Sequence, residues 1–211
     1  MRHTITMLVA GLCSIVLAET GNVTDAASEP IAIFVGSDKA SDFVLAEMRR
    51  EVESATQRTS IRISWQALNA PRETGDYSEV VVIRLVGDCN GFDARPATTR
   101  VQKILGSTHM AGGRILPFGD VFCEPVLQLI RPSLVGATQH ERERLLGRAL
   151  GRVLSHELYH ILGRIKNHGT GGLAKSEHSH HDLVTREFRF DEQDEEMFSH
   201  TIPESSAGST R

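Results

Sequence analysis

The sequence predicts a single domain of the α+β class, in which a small mixed twisted sheet is combined with one backing helix and one long helix near the C-terminal end. Three observations carry this prediction. Short runs of aliphatic and β-branched residues alternate with a helical pattern in the first half of the chain. A Gly-Gly pair between two extended segments predicts a hairpin. A long proline-free stretch with a helical cap follows both.

The first half of the chain predicts a strand, a helix and two further strands. "IAIFVG", from Ile31 to Gly36, is an apolar run of strand length. The next stretch carries apolar residues at helical spacing between Leu45 and Ala55, opposite a charged face. "IRISW" alternates apolar with polar residues, and "VVVIRLV", from Val80 to Val86, is rich in β-branched residues, so we expect two strands there.

The segment from Val101 to Ile130 predicts only a loose hairpin. It turns at Gly112 and Gly113, and its flanks are "KILGSTHM" and "RILPFGDVF". Because proline cannot donate a ladder hydrogen bond, Pro117 favours a position at the edge of the sheet.

The long helix is predicted from Gln139 to Leu162. Thr138 can cap its first turn, and Glu141 three residues later completes a capping box. Gly163 is the expected end of this helix. A second capping pattern predicts a shorter helix that begins at Ser179.

The N-terminal segment predicts export. Arg2 precedes an apolar run from Met7 to Ala18, which is too short to cross a bilayer, and Val16 and Ala18 have the spacing of a signal-peptidase site. We therefore expect a secreted or periplasmic protein without a stable membrane anchor. The predicted divisions are a signal peptide over 1–18, a polar linker over 19–30, a single domain over 31–200 and a disordered tail over 201–211.

The cysteines are consistent with an oxidising compartment. Removal of the signal peptide would remove Cys13 and leave Cys89 and Cys123, which we expect to form a disulfide. Two separate buried thiols are the alternative.

Composition limits the possible partners. The 211 residues, 40% of them hydrophobic, are enough for one good core. A net charge of −4 provides no basic surface for phosphates, and we find no nucleic-acid-binding motif, so we expect no nucleic acid partner. The oligomeric state is left open by the sequence.

The segment "HELYH" places two imidazoles and a carboxylate on the long helix. His156 and His160 are four residues apart, so they lie on one helical face and can bind a single tetrahedral ion, for which we expect Zn²⁺. Glu157 lies next to them. It is expected to stand beside the metal as a catalytic general base that takes a proton from metal-bound water.

The third metal ligand is predicted to be His168. The chain leaves the helix at Gly163, and the five residues to His168 span up to about 17 Å, which is enough to turn back over the metal. Glu177, His178 and Glu187 are the alternatives.

The motif and the order of elements resemble the zincin metallopeptidases. The predicted order of elements is similar to that of the minimal zincin catalytic subdomain. It consists of a strand, a helix, strands with an edge hairpin and then a motif-bearing helix. Gly163, three residues after His160, resembles the glycine of the metzincin extension HExxHxxGxxH. Lys166 stands where that pattern has its third histidine. "HELYH", followed by "HG" at His168 and "GLAK" from Gly172, is also similar to small secreted bacterial proteins with no settled substrate. The resemblance implies a zincin-like fold and hydrolysis of peptide bonds.

The expected function is that of a secreted zinc-dependent metallopeptidase with a peptide or protein substrate, which could add a strand to the hairpin around "RILPF". One alternative is a secreted metal-binding or interaction domain without significant turnover, and another is a hydrolase of a different substrate. An open groove at the metal would favour an enzyme, and a capped metal would favour the binding domain.

Further expectations concern residues in and after the motif. Tyr159 is expected to pack rather than to take part in catalysis. The histidines of "SEHSHH" could form a second metal site, although a solvated helix start is the commoner case. Lys175 is a candidate for neutralising an oxyanion.

Overall fold

A five-stranded sheet provides the frame of the molecule. The structure is a computed structural model, and it describes residues 29–36, 39–68, 75–90, 92 and 104–200. The strands are β1 (Ile31–Gly36), β2 (Ile63–Ala67), β3 (Glu79–Val86), β4 (Gly106–Ala111) and β5 (Arg114–Phe122). The helices are α1 (Asp42–Thr56), α2 (Cys123–Leu134), α3 (Gln139–Gly163), α4 (His180–Val184) and α5 (Glu192–His200), with a 3-10 turn at Gly172–Ala174.

The sheet is mixed, with the strand order β2-β1-β3-β5-β4. β1 pairs in parallel with β2 and β3, and β3 pairs in parallel with β5. β4 runs antiparallel to β5 and is the last strand on that side. The predicted α+β class is therefore confirmed, with a small mixed sheet, a backing helix α1 and the long motif-bearing helix α3.

Strand β3 buries one face strongly. Val81, Ile83 and Leu85 are buried, whereas Val80 before them and Arg84 between Ile83 and Leu85 are exposed. This period of two is the pattern of a sheet that packs on one side only. The buried face forms one continuous apolar core with α1, α2 and α3.

The hairpin lies at the edge of the sheet, as predicted, but Pro117 is on its inner strand. β4 is the outer strand, and Pro117 belongs to β5, which lies between β3 and β4. The missing amide is tolerated because pairing of β5 with β3 begins only at Phe118. The β4–β5 register also shifts between Thr108 and Met110, next to the proline.

The prediction of a hairpin alone between Val101 and Ile130 was incomplete, because helix α2 begins at Cys123. The sequence did not predict this helix because the segment contains two prolines, which usually interrupt helices. Pro125 lies in the first turn, where backbone amides have no intrahelical partner, and Pro132 lies in the last turn. Neither position prevents a helix.

The elements around the motif agree with their predicted positions. α3 spans Gln139–Gly163, and its capping box joins Thr138 and Glu141 in both directions. α4 begins at His180 behind a capping box of Ser179 and Asp182. A disulfide joins Cys89 to Cys123, with 4.9 Å between their Cα atoms, as predicted. It ties the segment after β3 to the start of α2.

The residues of the predicted signal peptide and tail, 1–18 and 201–211, lie outside the described residues, so the division of the chain stays a prediction. In the part of the chain that the structure describes, no helix has the length and apolar character to cross a membrane.

Helix α1 lies close against α3, and two glycines of α3 make this contact possible. A Cβ atom on Gly147 would collide with the side chain of Glu47. On Gly151 it would lie 2.7 Å from both the carbonyl oxygen of Met48 and the Cβ of Glu51. The low helix propensity of glycine is thus offset by closer packing of the two helices.

Gly151→Ala is expected to destabilise the fold by about 1–3 kcal/mol, because the new methyl group would press on the backbone of α1. Helix propensity alone predicts the opposite, a gain of about 1 kcal/mol. Chemical denaturation of both proteins distinguishes the two outcomes. Arg144→Ala, on the exposed face of the same helix, is the control and should change stability by less than about 0.5 kcal/mol.

Candidate metal centre

The two histidines of the motif lie on the buried half of α3. His156 and His160 are each only 8% exposed, and every residue from Ala149 to Gly163 of this helix is buried. The helix passes through the core, so its position is fixed by packing on several sides. The Nε2 atoms of His156 and His160 face each other at 3.2 Å.

Backbone carbonyl groups determine which ring nitrogen of each histidine carries its proton. Nδ1 of His156 lies 2.7 Å from the carbonyl oxygen of Leu173, and Nδ1 of His160 lies 2.6 Å from that of Ile165. A carbonyl oxygen can only accept, so each Nδ1 must donate. In the neutral ring, Nε2 is then left with a lone pair that points toward the other histidine.

The electrostatic environment keeps these rings neutral. Burial lowers the pKa of His156 to about 3, against the opposing effect of the Leu173 hydrogen bond, and nearby histidines lower it further. Burial also lowers the pKa of His160. Neutral imidazole is the form that binds metal ions, so the site favours the ligand form of both side chains.

His168 approaches the same point from the loop after α3. Arg164 adopts the left-handed conformation, with φ of 51°, and turns the chain back at the end of the helix. The ring centroid of His168 lies 5.2 Å from that of His156 and 4.9 Å from that of His160. One nitrogen from each of the three rings lies within 4.8 Å of the others.

The loop that carries His168 is held by its neighbour Gly169. The backbone of Gly169 donates a hydrogen bond to Ala174 at 2.9 Å. A Cβ at this position would collide with the carboxylate of Asp194, which also accepts a hydrogen bond from the Tyr159 hydroxyl at 3.1 Å. Tyr159 is buried against Phe190 and α5, so it supports this loop from the core.

Glu157 is turned toward the edge strand β4. Its carboxylate accepts a 2.7 Å hydrogen bond from the Thr108 hydroxyl, and it is only 4% exposed. A Cβ at Gly106 would lie 2.5 Å from its Oε1 atom, so the absence of a side chain there leaves room for it. Burial raises the pKa of Glu157 to about 7, partly opposed by the Thr108 hydrogen bond and assisted by the negative charge of Asp120.

A pocket of about 790 Å³ opens in front of the three histidines and Glu157. The hairpin, α2 and the loop after α3 provide a largely apolar wall: Leu105, Met110, Ile115, Pro125, Leu129, Pro132 and Ile165. Helix α2, which the sequence analysis missed, therefore forms one side of the pocket.

The other candidates for the third ligand lie outside the cluster. Within the described ranges, the one group of three residues with metal-binding geometry is formed by His156, His160 and His168. Glu177 is exposed at the pocket, and Glu187 is exposed and does not line it. His178 lines the pocket without joining the cluster. The geometry thus brings together the three predicted histidines, while their role as ligands stays a prediction.

The remaining candidates lie outside the histidine cluster. Lys175 donates a 2.6 Å hydrogen bond to Asp182 and does not line the pocket. His180 pairs with the hydroxyl of Ser133 at 2.8 Å, and His181 is exposed. These contacts place the "SEHSHH" segment at a helix start and give no second metal cluster among the described residues.

Thr108, Gly106 and Asp194 are parts of the site that sequence reasoning did not find. The first two lie in an edge strand and the third lies 34 residues after His160. The sequence separation of these three residues from the motif follows no known pattern. It therefore gave no indication that they would contact the site.

Comparison with known proteins gives one structural similarity. No protein-family model matches the chain, and no curated protein matches it. Among solved structures, the crystal structure of archaemetzincin from Methanopyrus kandleri is similar, with a TM-score of 0.49 and 13% sequence identity. The similarity covers 85% of this chain and 98% of that chain.

His168→Ala is expected to weaken zinc binding by about 100-fold or more, as are His156→Ala and His160→Ala, because each removes one nitrogen from the cluster. Competition with a chromogenic chelator measures this. Glu187→Ala and Glu177→Ala are matched controls that should bind zinc normally. Normal binding by His168→Ala with a loss in Glu187→Ala would show that the third ligand is a glutamate.

Proposed function

We propose that the protein is a secreted zinc-dependent metallopeptidase. The observation that carries the proposal is the convergence of three imidazoles beside a buried glutamate at an open, largely apolar pocket. Separate structural roles for these residues would not require the three rings to meet, nor a glutamate to be buried next to them.

The donor set fits a tetrahedral zinc ion. With metal–nitrogen bonds of about 2.0–2.1 Å, two ligands of such an ion are about 3.3 Å apart, close to the 3.2 Å between the Nε2 atoms of His156 and His160. Two neutral acceptor atoms at this distance repel each other unless they share a cation. His156, His160 and His168 would hold the ion. When bound, zinc would supply a Lewis acid that lowers the pKa of water toward about 7 and polarises a carbonyl group.

Glu157 is proposed as the general base. It lies one residue from a ligand but its carboxylate is directed to Thr108 on β4, so it borders the pocket without belonging to the histidine cluster. From there it can accept a proton from a water molecule and later transfer it to the leaving amine. Thr108 fixes the rotamer of the carboxylate by donating to one of its oxygens.

The proposed substrate is an extended peptide that adds a strand to the sheet. The sequence suggested that the peptide would add to the hairpin around "RILPF". These residues belong to β5, which is already paired with β4, so the peptide would add to β4 instead. β4 is the edge strand of the sheet, and Gly106, Thr108 and Met110 of this strand line the pocket. Backbone hydrogen bonds to β4 would align the peptide, and the apolar wall would take an apolar side chain.

The alternative of a metal-binding domain without turnover predicts a capped site. The pocket in front of the histidines supports the enzyme instead, because it gives a substrate access to the cluster. The disulfide between Cys89 and Cys123 supports the export part of the proposal, since such bonds persist in oxidising compartments.

Glu157→Gln is expected to retain full zinc content and to lose most hydrolysis, by roughly 10²–10⁴-fold, because the amide cannot accept the proton. Turnover of a fluorogenic peptide library and metal analysis of the same samples provide the two measurements. Glu177→Gln, at an exposed glutamate on the same pocket, is the control and should retain activity.

Loss of zinc from Glu157→Gln would mean that Glu157 is a ligand and not a base. If the wild-type protein binds zinc but cleaves no member of the library, the binding-domain alternative or a hydrolase of another substrate replaces the peptidase.

A further inference from the structure

A carboxylate on the exposed face of the sheet is enclosed by donors from two neighbouring strands. Asp120 of β5 is only 7% exposed, and it accepts hydrogen bonds from Nε and Nη2 of Arg84 on β3 at 2.8 and 2.9 Å. Its Oδ2 atom also lies 2.9 Å from Nε2 of His109 on β4. These three side chains link three neighbouring strands on the face of the sheet opposite to the core.

The hydrogen bond between His109 and Asp120 has a defined direction. Burial would raise the pKa of Asp120, but hydrogen bonds from Arg84 and His109, together with their charges, keep this pKa below its usual value. The carboxylate is therefore ionised and can only accept, so Nε2 of His109 donates. An ionised acceptor makes this hydrogen bond stronger than one between two neutral groups.

The hydrogen bond lies where the backbone pairing of β4 is interrupted. Thr108 is opposite Gly119 and Met110 is opposite Ile115, so the register shifts at His109, which has no partner in it. β4 is the edge strand, and β5 is its only neighbour in the described sheet. The side chain of His109 therefore joins β4 to β5 at a point where the backbone ladder does not.

The preceding residue of β4 contacts the proposed general base. Thr108 donates a 2.7 Å hydrogen bond to Glu157, whereas His109 is directed to the other face, since successive side chains of a strand alternate. A Cβ on Gly119 would contact core side chains, so Asp120 after it faces away from α3. This short part of β4 is thus held from both faces, by Glu157 on one and by Asp120 on the other.

We propose that His109 and Asp120 are positioning residues whose hydrogen bond holds β4 where the Thr108 hydroxyl reaches the Glu157 carboxylate. Its effect on catalysis rests on the proposed function, because it assumes that Glu157 is the general base. Without this bond, the interrupted part of β4 would no longer be fixed against β5. Thr108 would then meet Glu157 in only a fraction of the molecules.

Amide hydrogen exchange of the full chain tests the hold on β4 without a substrate. His109→Phe removes the donor and keeps a planar ring of high strand propensity, so β4 amides should exchange about threefold to tenfold faster, with unchanged rates in β1 and β3. His109→Gln keeps an N–H donor and should restore slow exchange. Arg114→Phe, at an exposed residue of the same hairpin, is the matched control and should exchange like wild type.

A second variant guards against a folding defect. The side chain of His109 is 41% exposed, so phenylalanine is not expected to prevent folding. His109→Thr introduces a side chain that suits a strand but is too short to reach Asp120, and it should exchange like His109→Phe.

A double-mutant cycle on peptide hydrolysis tests the link to Glu157. His109→Phe should lower kcat about threefold to tenfold in the wild-type background. In Thr108→Val, which has no hydroxyl to position, the same change should lower kcat by less than about twofold.

Other results overturn the inference. Unchanged exchange of β4 in both His109→Phe and His109→Thr would show that the backbone ladder alone holds the strand. Faster exchange of every strand would assign His109 to global stability. Equal losses of kcat in both backgrounds would show that His109 does not act through Thr108. If the wild-type protein cleaves no peptide while exchange changes as predicted, the hold on β4 is confirmed, but the proposed function and the catalytic role of His109 are overturned.

Discussion

Two hydrogen bonds from imidazole Nδ1 atoms to backbone carbonyl groups are the constraint on which the site depends. They join His156 to Leu173 and His160 to Ile165, and they determine that both Nε2 atoms present lone pairs to a common point. Both acceptors belong to the segment after α3. The tautomers of the motif are therefore set by the path of the chain beyond the helix and not by the helix alone.

The reversal of the chain after α3 also places His168 beside the two histidines of the motif. Because Arg164 takes the left-handed conformation directly after Gly163, the chain turns back along α3 and places the carbonyl of Ile165 beside His160. It then carries His168 to the cluster before the 3-10 turn brings Leu173 to His156. Asp194, on α5, supports this path through Gly169, so the C-terminal part of the domain contributes to the site without touching the pocket.

The elements that the sequence predicted are those with a strong local pattern. The bounds of β1, the capping box at Thr138 and the Gly-Gly turn of the hairpin all depend on neighbouring residues, and they were confirmed. Helix α2 was missed because its two prolines indicate a break until their positions within the helix are known. Position relative to a helix end is a property of the fold, so sequence reading cannot supply it.

The residues of the site also divide into those that a local sequence pattern predicts and those whose position depends on the fold. Spacing alone brought His156, Glu157 and His160 together, since i, i+1 and i+4 positions on a helix have fixed directions. His168 could be proposed from the reach of the loop, but Glu177, His178 and Glu187 remained alternatives. Their separation from the cluster depends on where α4 and its preceding segment pack. The contact of Glu157 with Thr108 depends on the order of strands in the sheet, which places β4 next to α3.

X-ray absorption spectroscopy of the zinc-loaded protein tests the central claim most directly, because it counts the imidazoles bound to the ion. The arrangement predicts one zinc per chain with three imidazole nitrogens at about 2.0–2.1 Å and a remaining light-atom ligand. His168→Ala should reduce the count to two imidazoles. A spectrum of the wild-type protein with two or four imidazoles, or the absence of stoichiometric zinc, would contradict the assignment of His156, His160 and His168 as the metal centre.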